Sequence, residues 1–127
     1  MTTRPVFVAS QVLTAAEQNQ LATAIIAINA QTGTTYTTVL SDDGKLITCS
    51  NAASISVTVP PNSSVAYGIG TQLNFAQLGA GQVTLVAGAG VTLNSAGAKL
   101  KLSAQYAVAT CVKTDTNTWF VIGSLSA

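Results

Sequence analysis

A length of 127 residues predicts a single domain. Charged side chains make up 7 % of the chain, against roughly 25 % in an average soluble domain, and they are Arg4, Glu17, Asp42, Asp43, Lys45, Lys99, Lys101, Lys113 and Asp115. With no histidine and a net charge of +1, the composition excludes Ser-His-Asp and Cys-His triads, imidazole metal sites and charge-driven binding to nucleic acid or anionic membrane.

Residues 1–13 read as an extended arm. Pro5 disfavours helix at Arg4, and Val6, Phe7 and Val8 are strand formers with no partner nearby in sequence. Such an apolar arm packs either on its own domain, through Phe7 and Val12, or on a neighbouring subunit or larger platform. The expected platform contacts are Arg4, Phe7 and Val8. One cation without a following apolar core of about 7–15 residues does not make a signal peptide. Maturation in the cytosol is the expectation.

Residues 14–30 predict the only helix. Thr14 and Glu17 form a capping box, the interior is rich in Ala, Gln and Leu, and Gly33 is the stop signal. Leu21, Ile25 and Ile28 fall on one stripe, flanked by Ala22 and Ile26. The stripe serves either an amphipathic helix lying on its own sheet or a short trimeric bundle, with Leu21, Ile25 and Ile28 at the subunit interface. Its most apolar part, residues 21–28, is far shorter than the ~20 residues that span a bilayer.

Residues 34–127 predict an all-β domain after an attachment segment of 1–33. Short runs rich in Val, Ile, Thr and aromatics recur between Gly, Pro, Asn and Asp. Strands are expected near 35–40, 45–50, 54–59, 71–76, 82–87, 91–94, 99–103, 105–113 and 118–123. Asp42-Asp43-Gly44 reads as a hairpin turn, Pro60-Pro61-Asn62 as a strand end, and Asp115-Thr116-Asn117 as the last hairpin. The pattern predicts an antiparallel β-sandwich of jelly-roll type. Trp119, Phe120, Val121 and Ile122 are apolar on both faces, which puts the last strand in the centre of a sheet or at an interface. Cys49 and Cys111 are expected as free thiols buried in strands, with a disulfide open only if those strands are neighbours.

Candidate chemistry is sparse. Asp42 and Asp43 are adjacent carboxylates, a pairing that metal binding and acid–base catalysis both use, but beside Gly44 they read as turn residues. Gly79-Ala80-Gly81 and Gly88-Ala89-Gly90 lack the Lys-Ser/Thr and the helix of a phosphate loop and read as corners between strands. Lys99 and Lys101 alternate with Leu100 and Leu102, giving one basic strand face. Tyr36, Tyr67, Tyr106 and Trp119 suit a small β core, or a sugar platform if exposed together. No cofactor is called for and no enzymatic activity is expected. Because most strands carry Thr, Ser and Gln with little edge-blunting Lys, a self-associating assembly is expected to close the edges.

The phrases VFVASQVLTAAEQNQL, NAQTGTTYTTVLSDDGKLITCSNAASISVTVPPNSS, GTQLNFAQLGAGQVTLVAGAGVTLNS and TWFVIGSL resemble virion surface proteins of tailed bacteriophages: capsid decoration (cement) proteins and head fibres, which share a β module with tail-fibre-like proteins. The resemblance implies a non-enzymatic, trimeric virion protein, with an N-terminal attachment region, an outward β domain and the major capsid protein or another virion protein as partner. Assembly in the host bacterial cytoplasm is implied with it. The alternative is a tail-fibre, receptor-binding or carbohydrate-binding module for host attachment. A trimeric enzyme on a β scaffold would need convergent carboxylates or a base, which four acids and no histidine scarcely supply.

Overall fold

A computed structural model describes residues 26–127. The chain is mainly β. Its strands are β1 (Ile28–Gln31), β2 (Thr35–Thr37), β3 (Leu46–Cys49), β4 (Ile55–Val59), β5 (Gln72–Gln77), β6 (Val83–Ala87), β7 (Thr92–Ser95), β8 (Lys101–Leu102), β9 (Val108–Asp115), β10 (Thr118–Gly123) and β11 (Leu125–Ser126), with 3-10 turns at Leu40–Asp42 and Ala96–Ala98. They form a six-stranded sheet in the order β1-β3-β5-β9-β10-β7 and a five-stranded sheet in the order β11-β8-β6-β4-β2.

The first six strands alternate between the two sheets, and each lies parallel beside the strand two before it. Ile28 pairs with Leu46, Leu46 with Asn74, Thr35 with Ser56, and Ile55 with Val83. The chain therefore winds as a short coil, one strand per sheet in each circuit. Strands β8 to β11 complete both sheets with antiparallel pairings, while β7 returns parallel to β10. Both sheets are mixed, which corrects the antiparallel expectation. Local turn residues cannot tell a hairpin from a crossing to the opposite sheet, and Asp42-Asp43-Gly44 links β2 and β3, which belong to different sheets.

The inner faces of the two sheets meet in one apolar cluster. The six-stranded sheet contributes Ile47, Cys49, Leu73, Phe75, Ala109, Cys111, Trp119 and Val121, and the five-stranded sheet contributes Ile55, Val57, Val59, Val83, Leu85 and Leu102. Tyr67, from the loop between β4 and β5, packs edge-on against Trp119 with ring centroids 5.4 Å apart. Side chains of a strand alternate between its two faces, and these core residues fall at every second position of their strands.

Successive circuits stack closely at the corners. Asn51 donates its side-chain amide to the Thr32 carbonyl at 2.9 Å, and its own carbonyl accepts from the Gly81 N–H at 2.8 Å. The corner of 32–34, that of 50–54 and that of 78–82 are thereby knitted into one column. A Cβ on Gly79 would stand 2.6 Å from the Asn51 backbone nitrogen, and one on Gly81 would overlap the Ala53 carbonyl oxygen. Glycine is needed there because backbone passes against backbone.

Two boundaries shift. The helix expected to run through Ala30 does not do so: Ile28–Gln31 is strand β1, parallel to β3. Ladder hydrogen bonds with β3 outweigh the weak helix preference of an Ile-Asn-Ala-Gln segment. The six-stranded sheet therefore begins inside the segment read as 1–33. Leu21, Ile25, Arg4, Phe7, Val8 and the expected helical turns before residue 26 lie outside the described residues.

Candidate assembly face

The nine pairings settle which side chains share each outer face. On the six-stranded sheet one row runs Ile28, Leu46, Asn74, Thr110, Ile122, and the next runs Ala30, Thr48, Ala76, Val108. A third runs Gln72, Val112, Phe120, Asn94. None of these side chains is charged. Ile28 is 58 % exposed, Phe120 51 %, Ile122 50 % and Val108 46 %, while Thr48 and Ala76 in the second row are buried. Phe120 lies directly opposite Val112.

Two polar side chains of the first row bond within the face. Thr110 Oγ1 donates to Asn74 Oδ1 at 2.9 Å, and Asn74 Nδ2 donates to the Lys45 carbonyl at 3.1 Å. The opposite face of the molecule has another character. Thr35, Ser56, Thr84 and Lys101 form one row of the five-stranded sheet, with Thr37, Thr58 and Val86 beside it. Lys101 points outward while its neighbour Leu102 is buried, as the alternation of residues 99–102 predicts.

The remaining charges in the interior act as struts. Asp42 is fully buried. Its carboxylate accepts from Asn29 Nδ2 at 2.8 Å, from the Tyr36 hydroxyl at 2.5 Å and from the Val39 N–H at 2.9 Å. The residue read as part of a hairpin turn thus ties β1, β2 and the 3-10 turn together. Burial, reinforced by the Asp42 hydrogen bond and charge, pushes the Tyr36 hydroxyl up to about 12. Burial likewise raises Tyr67 to about 12. Tyr67 donates to the Val39 carbonyl at 2.7 Å and meets the Thr38 hydroxyl at 2.8 Å.

Lys113, given no role by sequence reasoning, is 2 % exposed. Its ammonium donates to Asn62 Oδ1 at 2.8 Å and to the Tyr67 carbonyl at 2.7 Å, pinning the loop after β4 beneath the last hairpin. Both acceptors are neutral, and desolvation lowers the lysine from its ordinary value. An inward place on a strand between apolar Cys111 and Trp119 was the signal for it.

Cys49 and Cys111 are free and buried, as expected. Cys49 is opposite Gln77 and Cys111 opposite Leu73, so four residues of β5 separate their rows. At ~3.3 Å per residue that is ~13 Å along the strand alone, beyond the ~7 Å limit between Cα atoms of a disulfide. Burial raises Cys49 to about 11 and Cys111 to about 12.

Other candidates separate in space. Of the four large rings, Tyr67 and Trp119 are in the core, Tyr36 is half-buried and bonded to Asp42, and Tyr106 is open at a loop tip. The rings thus form no shared platform. Among the described residues no group of three His, Cys, Asp or Glu side chains converges to hold a metal ion. Nor is any described helix long and apolar enough to cross a membrane. Ile28, expected on a helical stripe with Leu21 and Ile25, stands at the edge of the six-stranded sheet, in the same row as Ile122. Compared with known protein families, with curated proteins and with solved structures, the chain matches none.

Proposed function

We propose that this chain is a non-enzymatic structural protein of a phage-type virion, a homotrimeric capsid decoration (cement) protein or short head fibre with a β-sandwich projecting from the shell. One observation carries the reading: an outer sheet face with four half-open apolar side chains, no charge in its rows, and Asn74 and Thr110 hydrogen-bonded within it. Such a face is suited to bury itself against protein and has no group that would act on a substrate. Two of the few charges, Asp42 and Lys113, are spent on holding the fold.

The mechanism is linkage. A protein that binds the assembled shell and not its free subunits shifts the equilibrium away from disassembly by RT ln(1 + [L]/Kd). Arg4, Phe7 and Val8 are the proposed contacts with the coat, while Leu21, Ile25 and Ile28 contribute to the contact between subunits. The test is to add the purified full-length protein to shells that lack it. Co-sedimentation with a raised disassembly temperature is expected; absence of binding at saturating protein overturns the proposal. The host-attachment alternative draws on Tyr106 at its loop tip and predicts retention on a glycan array, an outcome that would replace the decoration role.

A further inference from the structure

We propose that Lys113 and Asn62 form an intramolecular cross-linking site. Once the chain has folded, the Lys113 amine displaces ammonia from the Asn62 side chain and leaves an isopeptide bond.

The two groups stand as reactants. Lys113 Nζ donates to Asn62 Oδ1 at 2.8 Å and to the Tyr67 carbonyl at 2.7 Å. With a C=O bond of about 1.2 Å, Asn62 Cγ lies within about 4 Å of Nζ. Reacting atoms in a near-attack arrangement are roughly 3–3.5 Å apart, so a small rotation of either side chain closes the gap.

Both partners are fixed by their backbones. Lys113 is on β9 opposite Trp119, its N–H donates to the Thr71 carbonyl, and its carbonyl accepts from the Gly70 N–H. Asn62 follows Pro60 and Pro61, whose rings restrict the chain. The Asn62 N–H donates to Asn117 Oδ1 at 2.9 Å, and the Pro61 carbonyl accepts from Ser64 and Val65. Amine and amide therefore need not find each other, and held geometry is what accelerates a slow bimolecular reaction most.

The surroundings favour a neutral amine. Lys113 is 2 % exposed and its ammonium faces two uncharged carbonyls. Desolvation lowers it from its ordinary value, which enlarges the share that carries a lone pair. Exclusion of water also suppresses hydrolysis of the amide under attack.

The exchange balances. The Nζ lone pair attacks Cγ, the Nζ–Cγ bond forms, the Cγ–Nδ2 bond breaks, and Nδ2 leaves as ammonia with the proton that the amine sheds. Starting from the ammonium, the second proton leaves as well and the product is ammonium ion. Nothing is oxidised or reduced. One amide replaces another, so direction is set by the loss of a buried charge and the escape of ammonia to water.

The bond ties positions 51 apart in the chain. It fastens the loop after β4, a strand of the five-stranded sheet, to β9 of the six-stranded sheet. Such a tie restricts the unfolded chain as a disulfide does, and reduction cannot cleave it.

The experiment is intact-mass spectrometry of the unfolded full chain, freshly purified and after storage at about pH 9. The wild type is expected to fall below its sequence mass by one ammonia, increasingly with storage. Its digest should contain a branched fragment joining residues 62 and 113. Lys113→Arg keeps the positive charge without a nucleophilic amine and should hold the full sequence mass. A wild type at full sequence mass throughout overturns the proposal. So does an ammonia loss that persists in Lys113→Arg or maps to another asparagine. The branched fragment is read on the wild type, so the answer does not depend on how the variant folds.

Discussion

The two buried thiols make stability fall steeply above pH 9. Cys49 rises from its ordinary 9.0 to about 11 and Cys111 from 9.0 to about 12, each because burial penalises the thiolate. In the unfolded chain both lose their protons near pH 9; in the folded chain both keep them. Stability is thus fully present below pH 9 and is lost as pH climbs toward the folded values. At about 1.4 kcal/mol per unit, shifts of about two and three units correspond to about 3 and 4 kcal/mol, on the order of 7 kcal/mol in all. That approaches the whole stability of an ordinary domain, about 5–15 kcal/mol. Tyr36 and Tyr67, raised from 10.0 to about 12, add to the loss above pH 10. Lys113 opposes it: its folded value is lowered, so its penalty fades as pH approaches the ordinary 10.5. Urea unfolding followed by circular dichroism, under reducing conditions between about pH 8 and 10.5, should show a slope near −2 to −3 kcal/mol per pH unit around pH 10. Cys49→Ala with Cys111→Ala should flatten that slope, whatever the cavities do to absolute stability. A wild-type stability constant across the range would refute the reasoning.

Two further outcomes follow from the packing. Gly81→Ala drives a methyl into the Ala53 carbonyl and should cost about 3 kcal/mol or more, read as a lowered denaturation midpoint with an unchanged m-value. Asp42→Asn replaces a carboxylate that accepts three hydrogen bonds and leaves the Tyr36 hydroxyl or the Val39 N–H poorly matched. The expected loss is about 2 kcal/mol in thermal or urea unfolding, larger than that of Tyr36→Phe.

Strand placement was largely legible. The run at 54–59 alternates Ile, Val, Val with Ser, Ser, Thr, and β4 covers 55–59 with the three apolar residues inward. The run at 118–123 coincides with β10, which lies between β9 and β7. Its outer Phe120 and Ile122 explain why the segment is apolar on both sides. Strand β1 was not legible, since the 4-and-3 spacing of Leu21, Ile25 and Ile28 looks helical and only β3 supplies the reason for Ile28 to be extended. Asp42 resembled an ordinary turn residue because the groups that bury it, Asn29 and Tyr36, come from strands in opposite sheets.

The sequence by itself determined a β-rich chain, the approximate limits of β2 to β10, buried thiols and a poverty of charge, because alternation and turn residues act within a few positions. Tertiary structure alone decided which strands pair, in which direction, and which face stays open. Those choices join residues far apart, such as Ile28 to Leu46 and Ile55 to Val83. No local window carries the free energy of such a pairing.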